Sequence, residues 1–213
     1  EDKKTFDITF PVVEGDRFSI GEISYAGNQL FDNAKLATVT KSRVGAFFSK
    51  KQVQEDIRQI TDLYGEQGHL FANVSPQVLP NTENKKVDLA YQISEGTPYR
   101  IREINIEGND KTRDKVIRRE MRQNEQEQIN TVLLRRSYQR IHNLNFFENI
   151  DIVPRKVSDE EVDLNVSVTE KSTGSFIAGA GYSSVDRLVG QLEINNGNLF
   201  GKGHLLRARS ELG

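Results

Sequence analysis

Apolar residues along this chain recur with two different spacings, and the helical one disappears near residue 172. The line Phe18-Ser19-Ile20-Gly21-Glu22-Ile23-Ser24-Tyr25-Ala26-Gly27-Asn28 reads as a strand closed by a Gly-Asn turn. A short helix is expected from Asn33 to Lys41, with Leu36, Ala37 and Thr40 clustered. Ser49-Lys50-Lys51-Gln52 is a capping-box pattern and opens a longer helix. Val53, Ile57, Ile60 and Tyr64 then form a helical stripe, which Gly65 and Gly68 stop. One strand is expected near Leu70 to Leu79, and a second carries Val87, Leu89, Tyr91 and Ile93 in clean alternation.

The same order then returns. Glu14-Gly15, Phe18, Ile20, Ile23 and Gly27-Asn28 recur, 81 positions later, as Glu95-Gly96, Tyr99, Ile101, Ile104 and Gly108-Asn109. Self-similarity at a fixed period marks repeated structural units. In the second copy Thr112 is expected to cap a helix bearing Val116, Ile117 and Met121. Leu134, Tyr138 and Ile141 form the second stripe. Strands follow near Phe146 to Val157 and through Val162, Leu164, Val166 and Val168. Pro76 and Pro154 fall in equivalent strands, and a proline cannot donate to a ladder, so these strands belong at a sheet edge. The strongly alternating strand then takes the centre. Each copy is expected to be β-α-α-β-β, an α+β module with two helices on one face of a three-stranded sheet. Phe6, Ile8 and Phe10 alternate before the first copy and read as the last strand of an earlier unit.

After residue 172 only strand alternation remains. Phe176, Ala178, Ala180 and Tyr182 share one face, and Ile177, Gly179 and Gly181 the other. Leu188, Gly190, Leu192 and Ile194 alternate with Val189, Gln191, Glu193 and Asn195. Asn196-Gly197-Asn198-Leu199-Phe200-Gly201-Lys202-Gly203 turns the chain, and Leu206, Ala208, Ser210 and Leu212 alternate with Leu205, Arg207, Arg209 and Glu211. Segments of about ten residues with one apolar face match a transmembrane barrel. A soluble antiparallel meander carries the same pattern.

Composition narrows the chemistry. A net charge of −2 excludes a strongly basic nucleic-acid binder, and no nucleic-acid partner is expected. Without cysteine there is neither a disulfide nor a thiolate metal site. His69, His142 and His204 stand far apart and read as scattered surface residues. Gly201-Lys202-Gly203 lacks the spacing of a phosphate-binding loop, and Gly179-Ala180-Gly181 has no helix behind it. No cofactor, metal or catalytic residue is expected. The run from Lys111 to Ile141 holds nine Lys or Arg against four Asp or Glu, which reads either as a solvated face or as a partner surface.

These residues carry a resemblance. The two copies resemble POTRA domains. Val168-Thr169-Glu170-Lys171-Ser172-Thr173-Gly174-Ser175-Phe176, Gly179-Ala180-Gly181-Tyr182 and Asn198-Leu199-Phe200-Gly201-Lys202-Gly203 resemble the passage from the last POTRA domain into the barrel of the Omp85 family. Glu107-Gly108-Asn109-Asp110-Lys111-Thr112, Val116-Ile117-Arg118-Arg119-Glu120-Met121-Arg122-Gln123 and Leu144-Asn145-Phe146-Phe147-Glu148 resemble the membrane-proximal POTRA domain. The resemblance implies the end of a preceding POTRA domain at 1–16, a fourth POTRA domain at 17–96, a fifth at 97–171, and the truncated start of an antiparallel outer-membrane β-barrel at 172–213. It implies a non-enzymatic assembly factor of the Gram-negative outer membrane, with its POTRA domains in the periplasm. Its partners would be unfolded outer-membrane β-barrel proteins, BamD-like and other accessory lipoproteins, and outer-membrane lipid.

Three sets of residues follow as candidates. Edge strands would add a client strand along Phe71, Ala72, Asn73 and Val74, and along Phe147, Asn149, Ile150 and Ile152. Arg118, Arg119, Glu120 and Arg122 would meet an accessory lipoprotein, a contact that Glu120→Lys should weaken without disturbing the fold. Gly174, Phe176, Ala178, Gly179 and Gly181 would form the seam at which a barrel opens, because a Gly-rich strand holds its register weakly. Two other readings stay open: a secretion or translocation pore of the same superfamily (two-partner secretion or TamA-like), and a soluble POTRA-type scaffold with no barrel.

Overall fold

A computed structural model describes Pro11 and residues 16–183 and 187–212. The alternation expected at Phe6, Ile8 and Phe10 lies outside the described residues. Compactness divides the chain into two units, Glu1–Ile60 with Val74–Ser94, and Thr61–Asn73 with Glu95–Gly213.

The first unit is built on β1 (Ser19–Ala26), α1 (Asn33–Val39), most of α2 (Lys50–Gly65), β2 (Asn73–Asn81) and β3 (Lys86–Ser94), in sheet order β1-β3-β2. The second contains β4 (Arg100–Glu107), α3 (Asp114–Arg118), α4 (Thr131–Asn143), β5 (Phe147–Lys156) and β6 (Glu161–Glu170), in order β4-β6-β5. The β-α-α-β-β order is as expected, and both proline-bearing strands lie at sheet edges. The strands that alternate most strongly lie at the centre. β1 and β4 pair with their central strands in parallel, which obliges the chain to cross over, and the two helices make that crossover.

The repeat extends to fine geometry. In both copies the register slips once, between Ile20 and Ile23 and between Ile101 and Glu103, opposite Asp88 and Asp163. The bulge residue is Gly21 in one copy and Arg102 in the other. A side chain at Gly21 would strike the Asp88 carboxylate, whereas Arg102 grips Asp163 with Nε at 2.7 Å and Nη2 at 2.5 Å. That hydrogen-bonded ion pair outweighs the burial that opposes it and holds the Asp163 carboxyl below its ordinary value.

The helix stripes are mostly as expected, with one correction. Val53 and Ile60, and their equivalents Leu134 and Ile141, are buried. Tyr138 is not: it is 41% exposed and stacks on His142 instead. The inward position is taken by Ser137, whose hydroxyl donates to Leu133 O and accepts from Arg122 N. Its equivalent is Asp56, also buried, whose carboxylate accepts from the N–H groups of Lys41 and Ser42 and from the Tyr91 hydroxyl at 2.9 Å. A polar group at this place ties the end of the short helix to the long one in both copies. Desolvation, outweighing the opposing contribution of Ser42, pushes the Tyr91 hydroxyl well above its ordinary value, so Tyr91 remains a donor to Asp56.

Ser49 does cap α2, accepting from Gln52 N at 3.4 Å. Thr112 does not cap α3. Arg113 stands at that position with no side-chain cap bond, and Thr112 is engaged elsewhere. His69 is buried rather than at the surface, with Nδ1 3.0 Å from Glu95 O.

A third sheet, β7 (Gly174–Ser183), β8 (Arg187–Leu199) and β9 (His204–Leu212), is antiparallel in the order β7-β8-β9. The turn between β8 and β9 is shorter than expected, because Asn196 to Leu199 still belong to β8. Phe200, Gly201 and Gly203 make the turn with positive φ of 55°, 67° and 70°.

Replacing Asp56 by Ala strips three buried donors of their acceptor and should cost about 2–3 kcal/mol or more. Ser137→Ala strips one and should cost about 1 kcal/mol. Urea unfolding of the two variants checks the order; a Ser137 variant as damaged as the Asp56 variant would refute the assignment.

Candidate interaction surfaces

The outer edge of β5 belongs to no other strand among the described residues. Beside it, a cleft of about 230 Å³ is lined by Leu134, Arg135, Tyr138, Ile150, Asp151 and Ile152. An extended chain laid along β5 would find backbone partners on one side and an apolar cleft under alternate side chains. Asn149 is exposed and Ile152 half-buried, while Phe147 and Ile150 point into the core. β2 is the matching edge of the first sheet. Asn73 and Val74 begin it, with Val74 buried. Phe71 and Ala72 are not in the strand: they lie in the turn before it, and the Phe71 ring packs edge-on against Tyr99 at 5.2 Å. Gly68, with φ of +83°, breaks the chain direction there and delays the strand.

The four residues of the basic stretch do not form one exposed cluster. Arg118 donates to Asp114 at 3.0 Å, to Glu125 at 3.3 Å and to Ile104 O at 3.1 Å. Glu120 is only 15% exposed, with its carboxylate 3.4 Å from Arg119 and 2.6 Å from Arg140. A lysine there would set a third cation between two arginines, so Glu120→Lys would not leave the fold undisturbed. Arg122 is exposed, and its backbone N–H is used by Ser137.

One densely bonded place went unnoticed in the sequence. The Glu170 carboxylate, at the end of β6, accepts from Lys111 N at 2.9 Å and Thr112 N at 2.6 Å. Thr112 Oγ1 accepts from Asn198 Nδ2 at 2.8 Å, a buried bond. Asn198 Oδ1 accepts from Gly203 N at 2.7 Å, and Gly201 O accepts from Arg113 N at 2.9 Å. A Cβ on Gly201 would lie 1.8 Å from Lys111 O, so only glycine fits. The 110–113 loop of the second module is thus bonded to the β8–β9 turn. A cavity of about 460 Å³ adjoins it, with Phe146, Lys171, Thr173 and Phe200 among its walls. Two glycines around Lys202 signalled a turn, but nothing in the sequence named its partner.

Beyond that turn, register keeps like with like. Phe176 faces Ile194, which faces Ala208; Ala178 faces Leu192. On the other face Glu193 lies opposite Arg209, and Asn195 opposite Arg207. Phe176, Leu192 and Ile194 are exposed. β7, which carries Gly174, Phe176, Ala178, Gly179 and Gly181, is an edge strand, and a Cβ on Gly179 or Gly181 would touch nothing within 4 Å.

Comparison with known proteins agrees with this architecture. The family model for POTRA, described as a surface antigen variable number repeat, matches residues 18–96 and 99–171. The chain belongs to the POTRA family. It is 37% identical over 206 residues to the outer membrane protein assembly factor BamA of Neisseria meningitidis, a match covering 95% of this chain and 26% of that protein. It is 33% identical over 203 residues to BamA of Nitratidesulfovibrio vulgaris, covering 92% and 26%. The chain therefore spans about a quarter of the length of these curated relatives. The crystal structure of BamA from Haemophilus ducreyi lacking POTRA domains 1–3 superposes with a TM-score of 0.78 at 28% identity, over 92% of this chain and 37% of that one.

Two outcomes test the bonded turn. Gly201→Ala should free it, seen as at least about tenfold faster amide exchange at Lys111 to Arg113 with β4–β6 unchanged. Burial opposes ionisation of Glu170, but bonds from Thr112, the Lys111 and Thr112 N–H groups and the Lys111 charge prevail and depress its pKa. A depressed carboxyl stabilises the folded state above its ordinary value of 4.5 and loses that effect as pH falls through the lower folded value. The same amides should therefore lose protection as the pH falls below 4.5 and through the lower folded value, and in Glu170→Gln that pH step should vanish.

Proposed function

We propose that this chain is the membrane-proximal part of an outer-membrane β-barrel assembly factor, with residues 17–96 and 97–171 as its fourth and fifth POTRA domains and 172–213 as the first barrel strands. The observation that carries this reading is the third sheet: an apolar face runs in register across β7, β8 and β9, and its turn is bonded to a POTRA module. The Haemophilus ducreyi superposition, which extends over more of the chain than the two modules contain, supports it. Phe176, Ala178, Leu192 and Ile194 would meet lipid, and Glu193, Arg207 and Arg209 the barrel interior.

The factor works without enzymatic chemistry. Unfolded β-barrel clients in the periplasm pair by backbone with the β5 edge, and more weakly with β2. Backbone pairing reads β character rather than a particular sequence, which suits diverse clients. The cleft beside β5 accepts alternate apolar residues of such a client. The exposed cations of the second module, Arg122 among them, dock a BamD-like accessory lipoprotein. In the membrane, the Gly-rich β7 serves as the seam against which an incoming strand is templated.

The experiment places a photo-crosslinking residue at Val153, exposed on β5, or at the buried Val166 of β6, in the full-length protein in lipid vesicles. Addition of an unfolded outer-membrane β-barrel protein should give folded, heat-resistant client and adducts at 153 but not at 166. Folding without adducts at 153 would remove β5 from the mechanism, and no folding at all would remove the assembly reading.

A further inference from the structure

The period of 81 residues reveals a surface on the first module whose counterpart on the second is already covered. In the second copy, Gln126 N donates to Ile101 O at 2.7 Å, Ile101 N to Glu127 O at 2.9 Å and Ile129 N to Tyr99 O at 2.9 Å. In the first, Gly45 N donates to Ile20 O at 2.7 Å, Ile20 N to Ala46 O at 2.8 Å and Phe48 N to Phe18 O at 2.9 Å. Gly45 and Gln126 both have positive φ, and single β-bridges join Ser19 to Phe47 and Arg100 to Gln128. The two loops have the same backbone pairing.

What lies over them differs. Within the second unit, the loop is covered by the segment that ends α2. Gln128 Nε2 donates to Gln67 O at 2.7 Å, Asn130 Nδ2 to Glu66 O at 3.2 Å and Tyr99 N to Gly68 O at 2.9 Å. Leu70 packs on the second core and Phe71 packs on Tyr99. Under that cover Tyr99 is 6% exposed and Ile129 0%. At the equivalent places of the first module, Phe18 and Phe48 are only half-buried, and Phe47, in the place of Gln128, is 69% exposed. These three aromatics, with Asp16 and Arg17, line a groove of about 350 Å³. A phenylalanine exposed this far beside two others costs solvation unless something covers it.

We infer that Phe18, Phe47 and Phe48 form the docking surface for the end of the long helix of a further POTRA module placed before this one in the same natural chain. The occupant has a stated chemistry: a helix-terminal turn offering carbonyls and one or two apolar side chains, as Glu66–Phe71 offers the second module. Phe47 in place of Gln128 replaces a side-chain bond to a carbonyl with apolar contact, so this junction is less polar than the next. The inference rests on the reading that residues 1–16 end an earlier module. It is independent of client assembly, because it concerns only how the chain is jointed.

These 213 residues hold no cysteine, and with any cysteine elsewhere in the full-length protein replaced by Ser, a single thiol at Phe47→Cys reports directly. It should react with a maleimide at least about tenfold more slowly in the full-length natural protein than in the 213-residue chain, while Asn84→Cys on the exposed β2–β3 turn reacts alike in both. Should Phe47→Cys weaken folding, hydrogen exchange at the Phe18 N–H of the unaltered proteins gives the same comparison: protected in the full-length protein, fast in the short chain. In the full-length protein, Phe47→Asp should abolish that protection. Equal labelling at 47 together with equal exchange at Phe18 would overturn the inference and leave the assembly reading standing.

Discussion

The central strand of each module has both of its backbone edges in use, and much else follows from that. β3 and β6 accept a parallel neighbour on one side, which forces a helical crossover. They accept the strand just before them on the other, which leaves that strand outermost. An open edge is therefore a consequence of the topology, and each copy puts a proline there. The proline limits unwanted pairing without closing the edge altogether. A fold built this way exposes one strand for use while its core stays shut.

Buried polar groups do the fastening inside that frame. Asp56 and Ser137 occupy equivalent inward positions and hold the end of the short helix against the long one. Glu170 performs a comparable task at the end of β6, where its carboxylate takes two backbone N–H groups of the neighbouring loop. Asp56 and Ser137 pair donors in water-poor surroundings, where leaving them unpaired is costly, and Glu170 does so at the half-exposed end of its strand. Charge that looked available for a partner is partly spent in the same manner: Arg118, Glu120 and Arg140 satisfy one another or nearby backbone.

The fold was legible because its signals are periodic. Alternation placed β3 and β6 at the centre, proline placed β2 and β5 at the edge, and the recurrence of Gly-Asn fixed the repeat. The failures share a cause. Tyr138 sits at a stripe position but lies at the margin of the buried face, where Ser137 serves better because its hydroxyl finds two partners. Thr112 has the right chemistry for a cap yet is claimed by Asn198, eighty-six positions away. Phe71 belongs by pattern to a strand but packs on Tyr99 instead. Hydrophobic period carries local information; which polar atom meets which across long separations is settled by packing, and one sequence does not announce it.

The bonded β8–β9 turn also sets a mechanical path. The peptide link from β6 into β7 passes through Ser172 and Thr173, while Asn198 and Gly201 tie the loop at 110–113 to the second hairpin and Gly203 N–H holds the Asn198 side chain in place. A pull or a twist applied to the second module therefore reaches that hairpin through two bonds in parallel as well as along the chain. β7 is held at its start, where Thr173 O accepts from Gly197 N at 3.0 Å, but at Gly179 and Gly181 it has no side chains to stiffen it. Leverage and compliance are thereby assigned to adjacent strands of one sheet.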